Sequence, residues 1–371
     1  MHETILITGG AGFVGSHLAD ELLAHGYKVR VLDNLTEQVH GRGAGFPAYL
    51  AGDVECLRGD VRNRHDVRRA LDGVDAVYHF AAAVGVGQSM HEIERYTDIN
   101  NIGTAVLLEA LLEQPVARLV VASSMSIYGE GLYRDAGGGV RNPPERSAKQ
   151  LKRGHWELID NGNRLAPVAT PESKVASPAS IYALSKYDQE RMALLFGRAY
   201  DLPVVALRFF NIYGPRQALS NPYTGVLAIF SARYLNDEPP LIYEDGHQQR
   251  DFVHVRDVAH ACRLALETPQ AAGQVFNIGG GHAHRIIDIA RRLAATLGKS
   301  DLKPQITRRY RSGDIRHCFA DITRARTVLG YAPGVKLEDG LEELVAWLRE
   351  QNALDACASA HGDRAVRSLT A

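Results

Sequence analysis

Apolar and polar positions along this chain alternate between short all-apolar runs and longer stretches with apolar residues at helical spacing. Ile5, Leu6 and Ile7 are consecutive and stop at a glycine cluster, which predicts a strand buried on both faces of a parallel sheet. Residues 13–25 follow with an amphipathic helical pattern, and a second apolar strand, 29–32, is closed by Asp33. The same order continues through strand 54–58, helix 64–71, strand 76–80, helix 92–113, strand 118–122, helix 180–200 and strand 204–209. In the 92–113 helix, Ile99, Ile102, Val106 and Ala110 mark one stripe; Ala105, Leu108 and Leu112 mark another. A helix apolar on two faces is buried on two sides, which points to a subunit interface.

Strands alternating with helices predict an α/β fold, a Rossmann-type doubly wound parallel sheet. The pattern lapses between residues 129 and 178, a stretch rich in Gly, Pro, Arg and Lys that carries Trp156. A loop of that length in a compact domain is functional or disordered, and it is read as an insertion at about 131–175 covering the active site. The expected organisation is a cofactor domain over 1–178, the rest of its core over 179–210, mainly a smaller α/β substrate domain over 211–350, and a flexible tail over 351–371. At 371 residues with 45% apolar content the chain can bury a sizeable core. Lys plus Arg number 42 against 43 for Asp plus Glu, so no basic excess argues for nucleic acid or a membrane surface as partner. The four cysteines stand singly, which fits reduced thiols and neither a disulfide framework nor a metal site. The first strand begins close to Met1, and no apolar run reaches membrane-spanning length, so a soluble cytoplasmic protein is expected.

Gly9, Gly12 and Gly15 form a GxxGxxG turn between the first strand and helix. A side chain at the first two would block the turn or hold the backbone away from a pyrophosphate, and one at Gly15 would push the helix off the strand. The helix N-terminus offers free N–H groups to the phosphates. Asp33, 18 residues past Gly15, can accept both ribose hydroxyls and would repel a 2′-phosphate, so the expected cofactor is NAD rather than NADP. Phe13, Val14, Asn34, Asp60, Val61, Phe80, Ala81, Ala82, Ala83 and Asn100 complete the expected cofactor-binding set, with Tyr182 and Lys186.

Tyr182 and Lys186 open the long 180–200 helix four residues apart, so the ammonium lies on the phenol's face. A phenol with pKa near 10 is a poor base at neutral pH, and an adjacent ammonium and an oxidised nicotinamide both favour its phenolate. Ser124, ending a parallel strand, can bind the same substrate hydroxyl. The expected catalytic set is Ser124, Tyr182 and Lys186.

With these motifs in view the chain resembles the extended short-chain dehydrogenase/reductase family, in its nucleotide-sugar epimerase and dehydratase branch. The resemblance runs from about residue 5 to 350 through TGGAGFVGSH, GDV, HFAAA, SSMSIYG, YALSK, RFFNIYGPRQ, RDFVHVRDV and RSGDI. It implies a substrate-binding set of Ser124, Ser126, Asn211, Arg250, Arg311 and Asp314, the two arginines clamping a diphosphate. It also implies a homodimer built on the 92–113 and 180–200 helices. Family chemistry would begin with Tyr182 taking the C4 hydroxyl proton of the sugar while NAD takes the C4 hydride. Similar 4,6-dehydratases carry an Asp-Glu pair after the serine; here Met125 and Ser126 stand there, and neither can do carboxylate work. The simplest outcome is C4 epimerisation of a nucleotide-diphosphate sugar. Through VGVGQSMHEIERYTDIN and RQALSNPYTGVLAIF the finer resemblance is to bacterial dTDP-L-rhamnose 4-epimerases, with UDP-glucose/UDP-galactose 4-epimerases as the alternative. Relatives of the first kind carry paired cysteines in the insertion; this chain has none between Cys56 and Cys262, so no zinc ribbon and no metal is expected. Cys318 stands where the alternative class gates the sugar's C2 substituent, although a buried structural thiol is the reading preferred. A dehydratase, a plain NAD(P)H reductase and a non-catalytic NAD-binding regulator are the remaining alternatives.

Overall fold

The computed structural model describes residues 3–143, 145–217, 225–311 and 313–350; the tail expected over 351–371 lies outside the described residues. Seven parallel strands form the central sheet: β1 (Thr4–Thr8), β2 (Lys28–Asp33), β3 (Glu55–Arg58), β4 (Ala76–His79), β5 (Arg118–Ser124), β6 (Val204–Phe209) and β7 (Val275–Ile278). They lie in the order β7-β6-β5-β4-β1-β2-β3, so the chain starts in the middle and winds outward both ways. Successive strand residues point to opposite faces. Ile5 and Ile7 therefore join Val29, Val31, Val205 and Leu207 on one face, while Leu6 joins Leu32, Val77, Leu119 and Ala206 on the other. Helices α1 (Phe13–Ala24), α2 (Arg64–Leu71), α3 (Gly103–Glu113) and α4 (Ile181–Ala199) flank the sheet. The loop after Asp33 holds only a short helical turn, Glu37–His40.

The sheet reaches past residue 210. Helix α5 (Val226–Leu235) lies in the smaller unit, but α6 (Val255–Glu267) packs against α1, and β7 then adds the seventh strand. The segment read mainly as a substrate domain thus returns to the cofactor core, a long-range crossover that no local pattern records. Its own apolar cluster is built from α5, α7 (Ile286–Leu297) and α8 (Leu337–Glu350), around Phe230, Tyr234, Leu293 and Leu344.

The two stripes expected in the 92–113 helix are displaced. A π-helical turn, Thr97–Ile102, precedes α3, and this wider turn shifts the helical phase of α3 relative to the residues before it. Leu107, Leu108, Ala110 and Leu111 face the sheet, while Ile102 and Leu112 are about half exposed. The described residues of the 131–175 insertion carry regular structure: a small antiparallel sheet pairs Ala166–Val168 with Leu132–Arg134 and Leu132–Arg134 with Val140–Arg141, and a short helix spans Ala148–Lys152. No described helix is long and apolar enough to cross a membrane.

Candidate active site

The C-terminal ends of the parallel strands open into one long cleft, where a doubly wound sheet binds its ligands. At the end of β1 the chain turns through Gly9, which has a φ of +70°; a Cβ there would stand 2.8 Å from the Ala81 backbone nitrogen. A Cβ on Gly15 would meet the Gly9 carbonyl at 2.6 Å, so the helix sits directly on the turn. Asp33 ends β2 with its carboxylate accepting from the Ala11 and Leu35 N–H groups at 3.1 and 2.9 Å. Burial pushes this carboxyl up, and the two N–H bonds and the nearby His40 oppose the rise. Two bonds leave a carboxylate with lone pairs for further donors, as a ribose diol supplies. Nearby, the Asn34 amide donates to Asp60, whose carboxyl is held down at about 2, chiefly by its bond from Arg62.

At the other end of the cleft stand Ser124, Tyr182 and Lys186. Ser180 caps α4 by accepting from the Ala183 N–H, which fixes where the helix begins and hence where Tyr182 points. Ser124 accepts from both the N–H and the hydroxyl of Ser126, at 3.2 and 2.9 Å, which leaves its own proton to donate toward Tyr182. Burial raises the Tyr182 phenol above its ordinary value, and the Ser124 bond only partly offsets it. The Lys186 ammonium donates to Gln189 at 2.7 Å, and burial draws it down to about 7 against the field of Glu190. Burial thus opposes the phenolate that the Tyr–Lys spacing favours, and the Ser124 bond works for it.

The profile of the NAD dependent epimerase/dehydratase family matches residues 5–147 and 161–279. The chain belongs to this family. Among its relatives, the dTDP-L-rhamnose 4-epimerase of Burkholderia thailandensis is 34% identical over 353 residues, covering 94% of this chain and 96% of that protein. The structure of UDP-glucose 4-epimerase with UDP-glucose from Thermotoga maritima superposes with a TM-score of 0.76 at 32% identity, covering 94% of this chain and 99% of the other. The UDP-glucuronic acid 4-epimerase from Bacillus cereus, in complex with UDP-glucuronic acid and NAD, gives 0.77 at 30% identity over the same shares. The chain is an NAD-dependent nucleotide-sugar epimerase, an isomerase with NAD as cofactor.

Within this family member, the expected cofactor residues from Gly9 to Ala83 all line the cleft, and Asn100 does not. Asn100 is buried behind it, accepting from the Ala83 N–H and donating to the Ala83 carbonyl and to Ser185. It clamps the β4 exit to α4. Of the expected substrate residues, Ser124 and Asn211 line the cleft, and the Asn211 Oδ1 is buried without a hydrogen-bond partner. Ser126 sits behind Ser124. Arg250, Arg311 and Asp314 lie off the cleft lining: Arg250 donates to the Gln249, Ile315 and Arg316 carbonyls, and Arg311 stacks 4.5 Å from the Tyr243 ring centroid. Cys318 is buried beneath the insertion near Thr170, its thiol pushed up to about 12 by burial, and it does not line the cleft. Nor does any described residue of the insertion, which bonds to Glu244, Asp314, Arg316 and His317 instead of roofing the cofactor. Sequence reasoning missed Gln38 and His40 in the Gly-rich loop, and Gln88, Arg95 and Gln217 elsewhere in the lining. For Gln38, His40, Gln88 and Gln217 the only signal was polarity in stretches with no period, and Arg95 stood among the polar positions of the 92–113 helix.

Proposed function

We propose that this enzyme epimerises C4 of a nucleotide-diphosphate sugar through a 4-keto intermediate, with dTDP-L-rhamnose, a dTDP-6-deoxyhexose, as its substrate. The observation that carries this reading is the chemistry at the reacting end of the cleft. Ser124, Tyr182 and Lys186 are assembled there, and the only carboxylates among the described lining residues, Asp33 and Asp60, stand at the far end beside the glycine turn. No carboxylate among the described lining residues near Tyr182 is placed to take a proton from C5 or deliver one to a leaving hydroxyl at C6, so elimination lacks the acid/base pair it uses. In this mechanism Tyr182 takes the C4 hydroxyl proton and Ser124, oriented by Ser126, donates to the developing oxygen. Lys186 supplies positive charge beneath the phenol. Bound NAD would supply the acceptor and donor of the C4 hydride, and while oxidised its ring charge would favour the phenolate. Gly9, Gly12 and Gly15 would hold the pyrophosphate, and Asp33 the ribose. Asn211 lines the cleft and would meet the sugar, whereas Arg250 and Arg311, off the lining, would have to turn toward the cleft to reach the diphosphate.

A hydride that leaves C4 and returns to C4 never meets water. Substrate deuterated at C4 should give product with the label retained, with no added NADH and no solvent deuterium at C3, C5 or C6. Loss of the label, or a need for stoichiometric NADH, would sink the proposal. The same assay run on dTDP- and UDP-sugars separates the rhamnose reading from the UDP-glucose alternative. We also propose a homodimer through α3 and α4, with Ile102, Leu112, Leu184 and Leu195 on or beside these helices about half exposed in the single chain. A monomer by sedimentation at micromolar concentration would count against it.

A further inference from the structure

Beneath the cleft, Lys186 ends a buried chain of polar side chains that belong to neither cofactor nor substrate. Its ammonium donates to the Gln189 Oε1 at 2.7 Å. The Gln189 Nε2 donates to the Thr104 hydroxyl at 2.8 Å, and the His79 Nε2 lies 2.9 Å from the same oxygen. The His79 Nδ1 lies 2.9 Å from the Thr8 hydroxyl. Lys186, Gln189, Thr104, His79 and Thr8 are all buried, so none can exchange these bonds for water.

The donor and acceptor counts leave one arrangement of protons. Thr8 Oγ1 accepts from the Ala81 N–H and shares the Phe80 N–H with the Thr8 carbonyl, and its own proton goes to His79 Nδ1, the acceptor it meets. His79 is then the Nε2–H tautomer, kept neutral because burial draws it down to about 3. Thr104 gives its proton to the Asn100 carbonyl at 2.6 Å and has two lone pairs, which the His79 and Gln189 donors fill. The Gln189 amide cannot flip, since a reversed amide would turn its NH2 donors toward the Lys186 ammonium, itself a donor only. Its carbonyl is thereby fixed toward Lys186, three residues back on the same helical face.

We propose that Gln189 is a positioning residue for Lys186: its carbonyl, locked by Thr104, His79 and Thr8, holds one ammonium proton and aims the rest of the group at the cleft. The proposal rests on the epimerase reading for its kinetic readout but not for its stability readout. The charged or titratable groups facing Lys186 are Tyr182 and Glu190 from its own helix and His79 from β4. Glu190 is already paired with Arg208 and accepts from Ser123. Gln189 is thus the neutral acceptor in direct contact.

The test uses the full-length holoenzyme and two substitutions with opposite predicted signs. Gln189→Met removes the acceptor and disfavours the ammonium. Its kcat should fall about ten- to a hundredfold with KM within about threefold, and the alkaline limb of the kcat profile should move about one unit down in pH. Gln189→Glu keeps an acceptor and adds charge, so its alkaline limb should move up in pH. Independently of turnover, Gln189→Met should lower the urea midpoint more at pH 6, where Lys186 is charged, than at pH 9.5. Thr104→Val, which frees the Gln189 amide and also leaves the His79 Nε2–H and the Asn100 carbonyl without their hydroxyl, should shift the limb in the Met direction, and its effect on the limb should not add to that of Gln189→Met. Profiles that superimpose for all the variants, with a pH-independent loss of midpoint, would overturn the proposal, and Thr104→Val alone decides it if Gln189→Met does not fold. Absence of epimerase activity in the unsubstituted enzyme would overturn the functional reading and leave the urea comparison to judge this one.

Discussion

The cofactor half and the insertion of this enzyme are held together by different physics. Around β1 and α1 the sheet is sealed by aliphatic residues on both faces, and the polar groups that matter sit at strand ends where they meet the cleft. The insertion has only a minor apolar cluster of its own, Tyr133, Leu158 and Leu165. It docks instead through a buried set of charges. Arg316 is fully buried and pairs with Glu157, Glu244 and Asp245, while Arg146 pairs with Glu244 and Glu130. Glu130 also accepts from the Arg316 and His317 N–H groups and from the Tyr133 hydroxyl. Apolar contacts are non-directional and tolerate change of volume-conserving kinds, whereas a buried ion set fixes one geometry and is costly when a partner is lost. The first kind of region is held by shape and volume; the second fastens the insertion through specific charged pairs.

The comparison is broken most strongly at the reacting groups, which can be removed without touching either kind of packing. Tyr182→Phe should lower turnover by about two to four orders of magnitude while the fold and bound NAD survive, as steady-state rates and released nucleotide will show. Unchanged turnover would take Tyr182 out of the mechanism.

Arg316→Met attacks the charge set alone. It leaves Glu157, Glu244 and Asp245 without their shared cation, at a cost of about 3–5 kcal/mol by urea denaturation. Hydrogen exchange should rise across 131–175 while β1 and α1 keep their protection. Equal loosening of both regions would refute the division between them.

Acid separates the two regions because their titrations occupy different windows. His79 in the cofactor half has a folded pKa of about 3, below its unfolded value of 6.5, so its neutral burial costs stability progressively as pH falls from 6.5 to 3. Glu157 in the charge set is pulled down to about 2 from 4.5 by His317 and Arg316, against its burial, so its contribution is present above 4.5 and lost between 4.5 and 2. Buried Asp251, pushed up to about 7, works in the opposite sense and gains as pH falls from 7 to 3.8. Glu157→Gln should therefore lower stability by about 1–2 kcal/mol at pH 7, and its gap from the unsubstituted enzyme should close only below pH 4.5. A gap already closed at pH 6 would assign the effect to another group.

The smallest effect is expected at Cys318, which lies under the insertion against Thr170 and not in the cleft. Cys318→Ala should cost about 1 kcal/mol and leave the range of accepted sugars unchanged, measured by product NMR over a substrate panel. A widened range would restore Cys318 as a gate.

The sequence alone determined the cofactor half. Local spacing carries the βαβ order, the glycine turn, Asp33 at its distance and the Tyr182–Lys186 pair, since each depends on a helical or strand period or on one backbone turn. Ser180 marked the start of α4 in the same way. Only the tertiary structure decided what depends on partners far along the chain. It returned 275–278 to the sheet, put Asn100 and Ser126 behind the residues they brace, and turned Arg250 and Arg311 off the cleft lining. It joined Arg316 to Glu157 and Glu244, and Lys186 through Gln189 to Thr8. Those outcomes turn on which buried polar atoms satisfy one another across long separations in the chain, and no periodicity records that.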